Sequence, residues 1–94
     1  MAEDWSRVEV EATVADYLDM LDQELRDVDY NKSAHRRRLA ALLNGRSDGA
    51  IERQHQNISA ILIELGFVYL DGYKPLGNYQ QLLFDVASER LERN

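Results

Sequence analysis

The sequence predicts an all-α domain, a small bundle of four main helices that contains a helix-turn-helix-like corner. Apolar residues recur at spacings of three and four along most of the chain, which is the period of one helix face. Serine and asparagine, which are good N-cap residues, precede these stretches, and glycine-containing breaks separate them. The length of 94 residues is that of one domain, so residues 1–94 are predicted to fold as a single helical unit.

The first helix is predicted to begin after Ser6 and to end near Leu25. Ser6 and Glu9 have the spacing of a capping box, in which each side chain bonds the backbone amide of the other residue. The length of this helix makes it the element against which shorter helices pack. Its predicted buried stripe consists of Val10, Val14, Tyr17, Leu18, Leu21 and Leu25.

The second helix is predicted over residues 32–43, with Asn31 as its N-cap. Its predicted buried side consists of Leu39, Leu42 and Leu43. The pair Asn44 and Gly45 then favours a tight turn with a positive φ.

The third helix is predicted to begin after Ser47 and to stop at Gly66, a residue that can adopt the left-handed conformation without a Cβ clash. Its buried stripe is predicted to be Ile51, His55, Ile58, Leu62 and Leu65. Its opposite face is predicted to be Glu52, Arg53, Gln56, Asn57 and Glu64. Arg, Gln and Asn are side chains that read base edges, although an ordinary solvated helix face has the same composition. A short helix, a turn and a longer polar-faced helix favour a helix-turn-helix, a corner that many small bundles also contain.

The fourth helix is predicted to follow Asn78 as its N-cap, with Gln81 in the reciprocal capping position. A loop with two glycines and the only proline, Pro75, precedes it. Its apolar face is predicted to be Leu82, Leu83, Val86 and Leu91. The charged end of this helix has no terminator, which favours a fragment of a longer protein.

Charge is distributed unevenly along the chain, whose formal net charge is −6. Residues 1–29 contain ten acidic and two basic residues, whereas residues 30–77 contain four acidic and seven basic ones. An acidic protein binds polyanions poorly as a whole, but a basic middle segment can form a local footprint for DNA. The alternative is that the basic segment balances the acidic first helix within the molecule.

The predicted DNA contacts combine this basic segment with the polar face of the third helix. Basic side chains would hold phosphates on either side of a groove, and the third helix would approach the groove itself. The predicted DNA-binding residues are Lys32, Arg36, Arg37, Arg38, Arg46, Arg53, Gln56, Asn57 and Lys74.

No catalytic, metal or cofactor site is predicted. The chain has no cysteine, no phosphate loop and no dinucleotide or zinc motif. Glu52 and His55 have the spacing found in carboxylate-bridged metal sites, but such sites need further inward carboxylates. We therefore interpret His55 as a histidine at the edge of the core and His35 as part of the basic surface. No apolar run approaches the roughly 20 residues that span a bilayer, which favours a cytoplasmic protein without membrane contact.

Three segments carry a resemblance to a known family. Residues 30–32 (YNK), 55–60 (HQNISA) and 72–75 (GYKP) resemble the N-terminal head module of McrA-type HNH restriction endonucleases, which cut modified DNA. The resemblance extends from Trp5 to about Leu83. The chain departs from the family pattern at Gln54, where a basic residue commonly precedes the histidine.

The resemblance implies a parent protein in which sulfur-recognising, SRA-like and HNH nuclease domains follow this module. The leading hypothesis is a non-catalytic accessory DNA-binding module of a modification-dependent endonuclease that acts on phosphorothioate or methylated DNA. Its expected partners are double-stranded DNA and the C-terminal domains of the parent. The alternative is a protein-interaction module that dimerises the parent or docks on its catalytic domain. A third hypothesis is that it keeps the nuclease inactive until modified DNA is bound.

Overall fold

The computed structural model describes residues 4–92, and these residues form four α-helices. The helices are α1 (Arg7–Leu25), α2 (Lys32–Ala40), α3 (Asp48–Glu64) and α4 (Gln81–Glu92). The predicted all-α class is therefore confirmed, and the described residues contain no strand. None of these helices combines the length and the apolar character that crossing a bilayer requires.

Helix α1 begins with the predicted capping box. The Ser6 hydroxyl accepts from the Glu9 amide at 3.3 Å, and Glu9 Oε1 accepts from the Ser6 amide at 3.0 Å. The helix ends with Asp27 in the left-handed conformation, at φ +59°. The Val28 amide donates to the Gln23 carbonyl at 2.8 Å, which satisfies one of the last free carbonyls of the helix.

The main core lies where α1 packs against α3 and α4. Its fully buried members include Val10, Val14 and Tyr17 of α1, with Ile58 of α3 and Leu83 of α4. Removing apolar surface from water at this junction is the main favourable contribution to folding, at about 25 cal/mol per Å². Leu18 lies at the edge of this core, whereas Leu25 is 65 % exposed, so the predicted stripe is wrong at its C-terminal end.

A smaller apolar cluster lies beneath the corner between α2 and α3. It consists of Leu39, Leu43 and Ile51. Helix α2 ends at Ala40, earlier than predicted, because the next residues form tighter bonds of the 3₁₀ type. This tightening turns Leu42 outward, where it is 65 % exposed, and keeps Leu43 in the cluster.

The predicted limits of α3 are confirmed. Ser47 caps its start by accepting from the Ala50 amide at 3.1 Å. Gly66 ends it with a φ of +83°, and the Phe67 amide returns to the Leu62 carbonyl at 2.8 Å. A residue with a Cβ would be strained at the φ of Gly66, which is why glycine terminates this helix well.

The predicted start of the fourth helix is wrong. Helix α4 begins at Gln81, and Asn78 lies before it with a φ of +59°. An N-cap residue needs an extended backbone, so a left-handed Asn78 belongs to the preceding loop. Asparagine tolerates this conformation because its short polar side chain bonds locally. It therefore occurs in turns as well as at helix caps.

Candidate nucleic-acid interface

Arg46 is one predicted DNA contact that the fold uses internally. Its Nε lies 2.9 Å from Oε2 of Glu9, and its Nη2 lies 2.9 Å from Oε1 of the same residue. The Arg46 guanidinium also lies 4.9 Å from the centre of the Trp5 ring. The prediction that Arg46 holds a phosphate is corrected, because this guanidinium is bonded to a buried carboxylate.

Glu9 is the buried partner in this pair and is only 1 % exposed. The hydrogen bond from Arg46 holds the pKa of Glu9 far below its ordinary value of 4.5, although burial opposes the shift. Its Oε2 also accepts from the backbone amide of Asn44 at 3.0 Å. One carboxylate thus caps α1, pairs with Arg46 and holds the turn between α2 and α3, so the corner has a fixed position against α1.

Asn57 is the second predicted DNA contact that is bonded inside the fold. It is 4 % exposed, and its side-chain amide donates to the carbonyl oxygens of Leu76 and Gly77. These bonds hold the loop before α4 against α3. The prediction that Asn57 reads a base is therefore corrected, because its donors have partners and its side chain does not reach solvent. Its side chain binds the loop instead.

The remaining basic residues reach the surface to different degrees. Arg37, Arg38, Arg53 and Lys74 are exposed, and none forms an ion pair within residues 4–92. Arg36 is half-buried, and its Nε lies 3.7 Å from Oδ1 of Asp48, the first residue of α3. This contact brings the Arg36 side chain of α2 next to the first turn of α3.

Lys32 and Gln56 lie at the margins of this surface. The Lys32 ammonium lies 4.3 Å from the centre of the Tyr73 ring, a cation–π contact that directs it over the loop before α4. Gln56 is half-buried, and its backbone carbonyl accepts from the Leu76 amide at 3.1 Å. Part of the Gln56 side chain remains accessible on α3.

A buried histidine–aspartate cluster that was not predicted from the sequence lies between α1, α2 and α3. His35 Nδ1 lies 2.7 Å from Oδ1 of Asp16, and His55 Nε2 lies 3.3 Å from Oδ2 of Asp16. Burial raises the pKa of Asp16, but hydrogen bonds from His55 and His35 outweigh it and lower the pKa overall. His35 is 5 % exposed, so its assignment to the basic surface is corrected.

A signal for this cluster exists in the sequence. Glu9, Thr13 and Asp16 follow one another at helical spacing beside the apolar stripe of α1, and Met20 continues the row. Acidic side chains in a buried row need cationic or donor partners elsewhere in the chain. Here the partners come from α2, α3 and the turn between them, and sequence spacing does not specify them.

Further contacts join this cluster to the surrounding core. His55 Nδ1 lies 2.9 Å from the Ile51 carbonyl, and its ring stacks on Tyr73 with centres 4.9 Å apart. Tyr17 accepts from the Leu70 amide at 2.9 Å and shares a 2.7 Å bond with the Ser59 hydroxyl. Within the part of the chain that the structure describes, no group of three or more His, Cys, Asp or Glu residues could hold a metal ion. We therefore interpret the cluster as a polar core.

Two surface clefts among the described residues lie at the two ends of α3. The first, of about 450 Å³, lies at the N-terminus of α3 and is lined by Trp5, Ser47, Gly49, Ala50, Arg53 and Gln54. The second, of about 160 Å³, is mainly apolar and is lined by Leu65, Phe67, Ser88, Leu91 and Glu92. The first cleft borders the corner described above, and the second lies between the ends of α3 and α4.

Comparison of the chain with known proteins found no matching family model, no matching curated protein and no matching solved structure.

Proposed function

We propose that this chain is a non-catalytic DNA-binding module and that its contact surface is the basic corner, defined as Arg36, Arg37, Arg38 and Arg53. The observation that supports this most directly is the 3.7 Å approach of Arg36 to Asp48. It brings Arg36, next in sequence to the exposed Arg37 and Arg38, beside the start of α3, the helix that carries Arg53. Arg37, Arg38 and Arg53 have no acidic partner among the described residues, so their charge is available to phosphates.

Within this proposal, α2 positions the module on the DNA backbone and α3 contacts the groove. Arg53 and Gln56 are the predicted α3 residues that retain access to solvent, and Arg and Gln side chains bond guanine and adenine edges. Lys32 lies over the loop before α4 and Lys74 lies within it, and both add contacts at the margin. The buried pair of Glu9 and Arg46 supports the same proposal indirectly, since it fixes the corner from which both helices project.

The resemblance of the sequence to the head module of McrA-type HNH endonucleases gives this proposal its biological setting. The parent would read a backbone phosphorothioate or a methylated base through other domains, and this module would add affinity for the flanking duplex. Phosphate contacts carry little sequence information, so the module is expected to bind duplexes of many sequences. Its net charge of −6 keeps that affinity modest and dependent on salt.

The test is the binding of a fluorescent duplex at several salt concentrations. Four phosphate contacts predict a slope of about −3 to −4 in a plot of log affinity against log salt. The double variant Arg37→Gln/Arg38→Gln is expected to weaken binding and to make the slope shallower by about 2. The matched control is Arg7→Gln/Arg26→Gln, which removes the same charge from exposed positions on and beside α1. Equal effects of the two double variants, or no binding at low salt, would refute the proposal.

A second candidate function is docking on another protein, and an exposed apolar segment favours it. Ile63, Phe67, Val68 and Tyr69 are between 40 % and 58 % exposed although they are large and apolar. Exposed apolar patches of this kind mark protein contacts more often than DNA contacts. Sedimentation of the wild type and of Phe67→Ser separates the candidates. A dimer that dissociates in Phe67→Ser, together with no affinity for DNA, would favour docking or dimerisation of the parent.

A further inference from the structure

Large apolar side chains are exposed where α3 ends, and they form the apolar segment. Its members are Ile63, Phe67, Val68 and Tyr69. All of them are at least 40 % exposed, whereas Leu70, the next residue, is fully buried. The Leu70 amide donates to the Tyr17 hydroxyl at 2.9 Å. The apolar side chains therefore face solvent on a stretch of backbone that is held by α3 at one end and by the core at the other.

A small apolar cleft continues this surface. Its walls include Leu65, Phe67 and Leu91, and its volume is about 160 Å³. An apolar cavity of about 150 Å³ holds one benzene-sized group. The cleft therefore has room for one apolar side chain of a partner.

The backbone of the apolar segment is also unpaired. Residues 67–70 form neither a helix nor a turn. Among the described residues, no hydrogen bond involves the backbone amide or carbonyl of Val68 or Tyr69. An exposed backbone of this kind can pair with another extended chain, because main-chain bonds then form alongside the side-chain contacts.

Acidic residues without a basic partner lie at both ends of the apolar segment. Glu64 follows Ile63 in α3, and Glu92 lines the cleft. At the other end, the Asp71 amide donates to Oε2 of Glu24 at 3.1 Å, so these two acidic residues adjoin. None of the four carboxylates forms an ion pair within residues 4–92.

This distribution of charge indicates what kind of partner fits. Residues 54–73 contain no lysine or arginine, so the surroundings of the apolar segment are acidic. A basic partner is attracted to such a surface. A second copy of the chain is disfavoured, because it would bring the same carboxylates and a net charge of −6.

We infer that the apolar segment is a docking site for an extended segment of another protein, in which basic residues alternate with apolar ones. One apolar side chain of the partner enters the cleft beside Phe67, and its backbone pairs with Val68 and Tyr69. Its lysine or arginine side chains lie beside the carboxylates at the two ends. This inference does not depend on the proposed DNA-binding function, because the basic corner lies at the opposite end of α3, a helix of 17 residues that is about 25 Å long.

The test follows amide chemical shifts by NMR while a short synthetic peptide of alternating leucine and lysine is added at low salt. We expect saturable shifts in residues 63–71 and 88–92, with an affinity that falls as salt is raised. A peptide of alternating leucine and glutamate lacks the matching charge, and one of alternating serine and lysine lacks the apolar side chains. Both control peptides are expected to bind about tenfold more weakly or worse.

Substitution of an apolar residue tests the cleft. Phe67→Ser is expected to weaken binding of the leucine–lysine peptide by about tenfold or more, because it removes one wall of the cleft. Leu42→Ser is the matched control, since Leu42 is also large and exposed but lies between α2 and α3, at the other end of α3. Its effect on peptide binding is expected to be small.

Substitution of acidic residues tests the charge match. Glu64→Gln/Asp71→Asn is expected to weaken binding of the leucine–lysine peptide by about three- to tenfold, since exposed ion pairs contribute modestly. The matched control is Glu11→Gln/Glu52→Gln, which removes the same charge from exposed positions in α1 and in the first half of α3.

Several outcomes would overturn the inference. These are no saturable shift in residues 63–71, equal binding of the three peptides, and equal effects of Phe67→Ser and Leu42→Ser. Sedimentation of the wild type as a dimer that Phe67→Ser dissociates would also overturn it, because a second copy would then cover the apolar segment. Peptide binding without DNA binding refutes the proposed function alone, whereas DNA binding without peptide binding refutes this docking site alone.

Discussion

Glu9 and Arg46 are 37 residues apart in the sequence and form a buried ion pair with two hydrogen bonds of 2.9 Å each. Both oxygens of Glu9 also accept backbone amides, from Ser6 and from Asn44. The same carboxylate therefore stabilises the start of α1 and fixes the turn between α2 and α3. The contact therefore ties the turn that precedes α3 to α1.

Replacing Glu9 is expected to lower the free energy of unfolding more than replacing any exposed acidic residue. Glu9→Gln removes the negative charge that both 2.9 Å bonds from Arg46 reach, and breaking a buried pair from one side costs about 3–5 kcal/mol. Urea denaturation followed by circular dichroism measures this loss. Glu11→Gln is the control, because the pair of Glu11 with Arg7 is about half exposed and is expected to contribute less than about 1 kcal/mol.

The lowered carboxyl pKa values predict how stability depends on pH. In the folded state the pKa of Glu9 lies below its ordinary value of 4.5, and the pKa of Asp16 lies below 3.8. Both carboxyl groups therefore bind their protons more weakly than they do in the unfolded chain. The unfolded chain therefore takes up protons first as pH falls, so stability is complete above pH 4.5 and declines below it. Urea midpoints measured across this range should fall steeply in the wild type. The decline should be shallower in Glu9→Gln, and parallel curves would contradict the assignment.

Two tyrosines in the core are expected to respond differently to loss of their hydroxyl groups. Tyr17→Phe removes the acceptor of the Leu70 amide and the partner of Ser59, which is expected to cost about 1–3 kcal/mol. Tyr73→Phe keeps the stacking on His55 and removes a hydroxyl that forms no hydrogen bond with the described residues, so its cost is expected to be below about 0.5 kcal/mol. Thermal unfolding of the two variants compares them directly, and similar costs would show that the Tyr17 bonds contribute little.

Removing the unpartnered amide of Gln54 is expected to raise the stability of the fold. Gln54→Leu replaces a buried polar group with an apolar one of similar size, and the gain is expected to be about 1 kcal/mol. Denaturation in urea measures it. A loss of stability instead would mean that the amide has a structural partner.

Much of the fold follows from local chemistry that the sequence displays. The capping box of Ser6 and Glu9, the N-caps Asn31 and Ser47, and the terminator Gly66 are each set by contacts within a few residues. Local signals of this kind predicted where α1, α2 and α3 begin and where α3 ends. Asn78 is the exception, because asparagine fits both a helix cap and a left-handed turn.

The partners of polar side chains could not be predicted in the same way. Some polar residues of the kinds that usually lie on a solvated helix or turn are instead paired across the fold. These residues are Glu9, Asp16, Arg46 and Asn57. Which polar residue is buried depends on how helices cross, and helical periodicity does not contain that information. The predicted DNA contacts Arg46 and Asn57 were therefore wrong, whereas Arg37, Arg38 and Arg53 remain predictions with exposed side chains.

The measurement that tests the account most directly is an amide chemical-shift map of the protein as a short DNA duplex is added at low salt. We expect shifts concentrated in residues 36–38 and 47–56, which include the basic corner, with little change in residues 63–69. Shifts confined to the apolar segment, or no shift at any duplex concentration, would contradict a DNA-binding role for the corner.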